Sequence, residues 1–232
     1  MKYQFLLWDI DGTLLDFLAS EKNAVKTLFQ KFSLGECTDE MVAIYSEINV
    51  KYWKALERGE VKKTEMLVDR YREFFRTINI DQSIAEAFNE CYQVELGETI
   101  CFMENGKELL EKLKEKNYVQ IAVTNGTKVA QNNKMKKSGM DRIFDFTFIS
   151  EDMGAEKPDK KFFEQVFETA GITDLSKVLI IGDSLTSDMK GGVGAGIDTC
   201  WYNPKHAENT SGLRVTYEIE SLWDVLKILG HS

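Results

Sequence analysis

The 232-residue sequence is poor in residues that break or cross-link a chain, with two prolines, four cysteines and two histidines. The cysteines form no CxxC pair and lie far apart, at Cys37, Cys91, Cys101 and Cys200. Zinc sites and disulfide frameworks need closely patterned cysteines, so both are disfavoured. No apolar run approaches the roughly 18 to 20 residues of a membrane span, and the chain turns acidic at Asp9, too early for a secretion signal. We therefore expect a soluble, unexported, cytoplasmic protein with reduced thiols.

Positive charge is also scarce, because 29 lysines and arginines face 38 aspartates and glutamates, for a net charge of −9. A nucleic-acid polymer needs a cationic face, so this charge balance disfavours such a partner. One short basic run contains Lys134, Lys136 and Lys137. We interpret this run as the solvated face of a helix rather than as a binding patch.

Glycine and proline are nearly missing from residues 17–96, where only Gly35 and Gly59 interrupt apolar residues at helical spacing. This stretch is predicted to form about four helices, with breaks near 35–38, 59–62 and 79–83. Elsewhere, short β-rich runs alternate with helical patterns, which predicts βαβ units and a mostly parallel sheet. The predicted strands are 4–8, 119–124, 146–149, 177–181 and 199–202. We expect a Rossmann-like three-layer α/β core (1–16 and 97–232) with an all-helical cap (17–96) inserted after the first strand.

Carboxylates follow two of the predicted strands. Asp9 and Asp11 come directly after the first strand, and Asp183 and Asp188 follow the fourth. Open α/β sheets bind their ligands beyond the carboxyl ends of the strands, so these acids are expected at one site. A hard divalent cation such as Mg²⁺ would offset their clustered charge, and the lack of nearby His or Cys argues against zinc. Helix capping is the alternative role for Asp183 and Asp188.

Two further segments carry groups suited to an anion. The segment Thr124-Asn125-Gly126 ends a predicted strand and offers a hydroxyl, an amide and backbone N–H groups at a helix start. An ordinary turn and cap is the alternative for this segment. Lys157 precedes Pro158, which restricts the backbone of Lys157 and is suited to open a helix. A single lysine is usually a solvated charge, but its setting beside the other motifs favours a binding role here.

Together these motifs resemble the haloacid dehalogenase-like superfamily of phosphohydrolases. The segment DIDGT at 9–13 resembles the family's first motif, Thr124 the second, Lys157 the third, and the segment from Gly182 to Asp188 the fourth. The helical insert matches the position of the family's C1 cap. Haloacid dehalogenases lack the second acid of the first motif, so Asp11 argues against dehalogenation. Within the superfamily, the chain most resembles the pyrimidine nucleoside 5′-monophosphatase branch. The segments that carry this resemblance are 11–17, 124–126, 156–162, 187–192 and 194–204.

The resemblance implies a covalent phosphatase mechanism. Asp9 would attack phosphorus and form an aspartyl-phosphate, while Asp11 would protonate the leaving oxygen and then activate water. Mg²⁺ would be held by Asp9, the backbone carbonyl of Asp11 and Asp183. Asp188 would orient the metal-bound waters or Lys157.

The resemblance also assigns the phosphate-binding groups. The non-bridging oxygens would be held by Thr124, the backbone amides of Asn125 and Gly126, and Lys157. The expected partner is a small phosphomonoester, a nucleoside monophosphate with a pyrimidine base, and the chain is expected to be a monomer or homodimer. A sugar phosphate or phosphoglycolate is the alternative substrate, and a non-catalytic phospho-ligand-binding relative is the remote one.

The cap would act as a lid over this site. A base contact could come from Tyr52, Trp53 or the segment 58–60, although aromatic residues at helical spacing more often belong to a core. The other tryptophans, Trp8, Trp201 and Trp223, are expected in the core.

Overall fold

The computed structural model describes residues 2–231 and contains one six-stranded sheet within them. The strands are β1 (Phe5–Trp8), β2 (Val119–Thr124), β3 (Phe146–Ile149), β4 (Val178–Gly182), β5 (Asp198–Tyr202) and β6 (Tyr217–Ile219). Their order is β3-β2-β1-β4-β5-β6, and every pairing between them is parallel. The predicted parallel sheet is confirmed. Strand β6 was not predicted, because it has only three residues and lies at the sheet edge.

Four helices follow β1 before the chain returns to the sheet. They are α1 (Phe17–Lys31), α2 (Asp39–Glu57), α3 (Lys63–Thr77) and α4 (Ala85–Glu95), and we call them the helical insert. Side-chain caps fix two of their starts: Asp16 accepts a hydrogen bond from the amide of Ala19, and Thr38 accepts one from that of Met41. The helices bury a shared aromatic core that includes Tyr45, Tyr71 and Phe88. The all-helical insertion after the first strand is confirmed, and its division into a separate domain at 17–96 stays a prediction.

The remaining helices cover both faces of the sheet. They are α5 (Gly106–Glu115), α6 (Lys128–Ser138), α7 (Ser150–Met153), α8 (Lys160–Thr169), α9 (Lys190–Ala195) and α10 (Asp224–Ile228). Strand side chains alternate between the faces. Thus Leu6 and Trp8 of β1 pack with Leu109 of α5 on one face, while Leu7 packs with Phe162 of α8 on the other. These two clusters pack helices on both faces of the sheet, which gives the expected three layers. They bury every side chain of β1 except that of its first residue, which is partly exposed.

The expectation that Pro158 opens a helix is wrong in detail. Helix α8 begins at Lys160 after the N-cap Asp159, whose carboxylate accepts from the amide of Lys161, so Pro158 lies in the preceding turn. The segment 186–195, whose residue pattern also predicts a helix, forms a π-helical turn, Leu185–Met189, followed by α9. Among residues 2–231, no helix combines the length and apolarity that crossing a membrane requires. The four cysteines are free thiols, as expected.

Helix α9 supplies a matched pair of glycines for testing how tightly it packs on the sheet. A Cβ on Gly192 would lie 2.6 Å from Ile180 and 2.7 Å from Thr199, whereas one on Gly194 would meet nothing within 4 Å. Gly192→Ala should therefore destabilise the fold by about 1 to 3 kcal/mol through overpacking. Gly194→Ala should stabilise it by about 0.5 to 1 kcal/mol, because alanine favours a helix over glycine. Urea unfolding midpoints measure both, and equal shifts would contradict the packing described.

Candidate active site

The carboxyl ends of β1, β2 and β4 meet at a cavity of about 310 Å³ between the sheet and the helical insert. All eight residues singled out in the sequence line it: Asp9, Asp11, Thr124, Asn125, Gly126, Lys157, Asp183 and Asp188. Asp9 directly follows β1, and its amide donates to the carbonyl of Ile181 on neighbouring β4. The parallel register thus places the acids after β1 and β4 side by side.

Lys157 is buried at the centre of this cavity floor, with 1% of its side chain exposed. Its Nζ donates to Asp9 Oδ1 at 2.7 Å, to Asp188 Oδ1 at 2.7 Å and to the Val123 carbonyl at 2.8 Å. Burial lowers the pKa of Lys157, but the adjacent Asp188 and Asp9 carboxylates outweigh it and the net pKa is raised. Lys157 is therefore a fixed ammonium that holds two acids from different strands.

Three carboxylates crowd around this one ammonium. Oxygen atoms of Asp9, Asp183 and Asp188 lie within 4.8 Å of one another, and the Thr13 hydroxyl donates to both Asp9 and Asp183 at 3.2 Å. Burial raises the pKa of Asp9 well above its ordinary value against the opposing effect of Lys157, and the other two acids raise it further. Asp183 opens to the cavity, yet its enclosure by protein and the Asp188 charge raise its pKa to about 7. The cluster carries excess negative charge, and its all-oxygen donors fit a hard divalent cation.

Two glycines allow the acids to approach the backbone so closely. Gly12 has a φ of +92°, and a Cβ there would lie 2.7 Å from Asp183 Oδ2. A Cβ on Gly182 would lie 2.3 Å from Asp188 Oδ2. A larger residue at Gly12 or Gly182 would collide with the carboxylate that packs against it, so both positions require glycine.

The Asp11 side chain points away from the other acids, toward α6. Gln131 Nε2 donates to Asp11 Oδ2 at 2.6 Å, and Lys134 Nζ forms an ion pair with Asp11 Oδ1. Lys134 is fully buried, so its assignment to a solvated helix face is wrong, although Lys136 and Lys137 are exposed as expected. The buried face of α6 carries polar residues, which is why apolar periodicity gave no signal for it. The i, i+3 spacing of Gln131 and Lys134 was the only available indication.

The Thr124–Gly126 segment forms a hydrogen-bonded loop beside Lys157. The Thr124 hydroxyl accepts from the amide of Gly126 at 3.1 Å. The Asn125 side chain accepts from the Lys157 amide at 2.8 Å and donates to the Lys157 carbonyl at 2.7 Å. These reciprocal bonds join the second and third sequence motifs into one rigid floor for an anion. The sequence did not predict this contact between the Asn125 side chain and the Lys157 backbone.

The insert reaches this loop through Lys63, a residue that the sequence did not single out. Lys63 Nζ donates to the Asn125 carbonyl at 2.7 Å and to the Ser150 hydroxyl at 2.9 Å. On the opposite rim, Thr186 donates to Glu57 of α2 at 2.5 Å. The helical insert is thus hydrogen-bonded to the core on both sides of the cavity.

Helix α2 forms the upper wall of the cavity. Asn49, Trp53 and Glu57 recur every four residues and therefore share the helix face that lines it. Tyr52 instead packs against the core of the insert. Arg58 forms an exposed ion pair with Glu60 and is not part of the cavity wall. Of the suggested base contacts, only Trp53 lies where a ligand could reach it.

Comparison with known proteins agrees with the motifs and the fold. A family model described as haloacid dehalogenase-like hydrolase matches residues 6–202. The chain belongs to this family of hydrolases, and the resemblance inferred from its motifs is confirmed.

Full-length relatives make the likeness more specific. The chain is 35% identical to the pyrimidine 5′-nucleotidase PynA of Streptococcus pneumoniae, over 99% of this chain and 96% of that protein. It is 28% identical to the pyrimidine 5′-nucleotidase YjjG of Escherichia coli, over 99% of each. A crystal structure of the HAD-hydrolase YfnB of Bacillus subtilis, bound to magnesium, superposes with a TM-score of 0.92 at 34% identity and 99% coverage of both chains.

Replacing Lys157 tests the charge balance of the cluster without any assay of activity. Lys157→Met would leave three carboxylates without their buried ammonium, so unfolding free energy should fall by about 3 to 5 kcal/mol. A divalent cation would offset part of that repulsion. Added MgCl₂ should therefore raise the Tm of Lys157→Met more than that of the parent. The control is Lys160→Met, which removes a lysine that is 69% exposed and paired with Glu164. An equal MgCl₂ response in all three proteins would contradict this account.

Proposed function

We propose that this chain is a Mg²⁺-dependent phosphomonoester hydrolase that acts through an aspartyl-phosphate and prefers pyrimidine nucleoside 5′-monophosphates. The observation that carries the proposal is the carboxylate cluster around Lys157, which faces the insert across the cavity. One cavity contains the proposed nucleophilic acid, the loop proposed to bind the phosphate and the fixed ammonium of Lys157. Family membership and the two relatives named as pyrimidine 5′-nucleotidases support the reaction class and the substrate.

In the proposed reaction Asp9 is the nucleophile. Lys157 binds Asp9 Oδ1, and Thr13 contacts Asp9 Oδ2, so the carboxylate is held in one orientation. Attack on phosphorus forms the bond from Asp9 to the phosphoryl group and breaks the ester bond to the leaving oxygen. Asp11 gives that oxygen its proton. In the second step Asp11 takes a proton from water, which attacks phosphorus and releases inorganic phosphate and the free Asp9 carboxylate.

The remaining groups bind the phosphate and the cation. Thr124, the amides of Asn125 and Gly126, and Lys157 surround the space for the non-bridging oxygens. Asp9, Asp183 and the Asp11 carbonyl would hold Mg²⁺, whose charge would stabilise the phosphate and the carboxylates during transfer. Asp188 positions Lys157 through the ion pair between them.

The insert wall is suited to recognising the leaving group. Trp53 offers an aromatic face on which a pyrimidine base can stack. The nearby Asn49 amide is buried and already bonded to Glu21 and Arg70, so it supports this wall from within the insert. A sugar phosphate or phosphoglycolate remains the alternative substrate on the same catalytic groups. The cytoplasmic location and the monomeric or homodimeric state stay predictions.

The nucleophile and metal assignments predict different kinetic defects. Asp9→Asn should lower turnover by roughly 10⁴-fold or more, because the amide cannot form the aspartyl-phosphate. Asp183→Ala should instead raise the MgCl₂ concentration needed for half-maximal rate. Asp141→Ala, which removes an exposed surface acid, is the control. Steady-state assays across a MgCl₂ titration measure both effects, with circular dichroism to verify folding. Parent-like activity in Asp9→Asn would exclude the covalent mechanism.

The substrate assignment is tested at Trp53. If Trp53 stacks on the base, Trp53→Ala should lower kcat/KM for uridine 5′-monophosphate by at least about fivefold. It should have less effect on p-nitrophenyl phosphate, which does not carry the base. Arg58→Ala serves as the control outside the cavity and should keep parent-like kcat/KM for both esters. Equal losses on the two esters in Trp53→Ala would mean that Trp53 supports folding or closure rather than recognition.

A further inference from the structure

The contacts of Asp11 with α6 lie apart from the groups proposed to bind the phosphate and the cation. Asp11 is the proposed proton donor, and its two carboxylate oxygens are engaged separately, Oδ2 by Gln131 and Oδ1 by Lys134. Lys134 has 0% side-chain exposure, while Asp11 retains 19% toward the cavity. An ammonium so deeply buried is costly unless it is paired.

We propose that Lys134 and Gln131 are positioning residues that hold the Asp11 carboxyl where it can reach the leaving oxygen of the substrate. This inference rests on the proposed function. Lys134 acts through Asp11 and does not touch the substrate, because its side chain is enclosed by protein.

The setting of Lys134 favours a dedicated role for this contact. Its Nζ lies 5.5 Å from the centre of the Phe17 ring, which packs over it as the first residue of α1. Phe17 also lines the cavity. The same ring therefore separates Lys134 from the cavity while leaving Asp11 exposed to it. The helical insert and the core meet at this point, so insert position and Asp11 orientation depend on shared contacts.

Gln131 connects Asp11 to the phosphate-binding loop. A Cβ on Gly126 would lie 2.2 Å from Gln131 Nε2, so the loop packs directly against this amide. Gln131 Oε1 is buried and has no hydrogen-bond partner within residues 2–231. Rotation of the amide would exchange donor for acceptor, so Gln131 can keep contact with Asp11 before and after proton transfer. The distance from the phosphate loop to the proton donor is thus set by one side chain.

The test compares two esters that differ in their need for a proton donor. The leaving group of uridine 5′-monophosphate is the 5′-alkoxide of uridine, which needs the Asp11 proton, whereas p-nitrophenolate leaves without one. The parameter kcat/KM reports steps up to the first irreversible one, so the later water-activating role of Asp11 does not enter. Misplacing a catalytic group by about 1 Å costs roughly 100-fold. Lys134→Met should therefore lose at least about tenfold more kcat/KM on the nucleotide than on p-nitrophenyl phosphate.

A double-mutant cycle separates positioning from general support of the fold. If Lys134 acts through Asp11, then Lys134→Met should cost less than about threefold on the nucleotide when Asp11→Asn is already present. Lys136→Met, which alters an exposed lysine on the same helix, is the matched control. Gln131→Met is compared on the same two esters and in the same cycle, and it replaces Lys134→Met in the test if that variant does not fold.

The outcomes are distinguishable. Equal losses on the two esters, or full additivity with Asp11→Asn, would overturn the positioning role while leaving the proposed function intact. A parent protein that hydrolyses neither ester would overturn the proposed function and this inference together. A selective and non-additive loss on the nucleotide would support both.

Discussion

The site depends on one buried ion-pair network in which the ammonium of Lys157 holds Asp9 and Asp188, each at 2.7 Å. The two acids follow different strands of the sheet, so the network joins β1 and β4 at their carboxyl ends. Buried charges are unfavourable when unpaired, and here three acids share one lysine. The protein tolerates this imbalance at the position where a divalent cation would supply the missing positive charge. Catalytic geometry and local electrostatic strain thus have the same origin.

The segments next to this network hold the groups that are proposed to bind the substrate. The Asn125 side chain bonds to the Lys157 backbone, so the phosphate loop and the lysine cannot move independently. Lys63 bonds to the same loop from the helical insert, which couples the lid to the phosphate-binding floor. Glu57 forms the second contact, on the opposite rim with Thr186. The proposed recognition surface on α2 and the proposed chemistry at the sheet edge are therefore connected through a few side chains.

The sequence predicted the sheet, the helical insertion and eight of the residues that line the cavity, because their signals are local. Asp9 and Asp183 directly follow apolar strands, and a parallel sheet brings such positions together. The roles of Lys134 and Lys63 depended instead on contacts between distant segments. Lys134 resembled a surface lysine because Lys136 and Lys137 follow it closely, and only the tertiary fold places Asp11 against it. Trp53 and Arg58 were equally plausible base contacts until the direction of the α2 face excluded Arg58.

In the proposed reaction the Asp9 carboxylate becomes covalently bonded to the transferred phosphoryl group. Reductive trapping tests this claim most directly, because borohydride converts an aspartyl-phosphate into homoserine. The enzyme would be mixed with uridine 5′-monophosphate and MgCl₂, quenched within a turnover and reduced, and its peptides would be sequenced by mass spectrometry. The expected result is homoserine at position 9, formed only when the substrate is present. Continued turnover with no homoserine, or with homoserine at another aspartate, would contradict it.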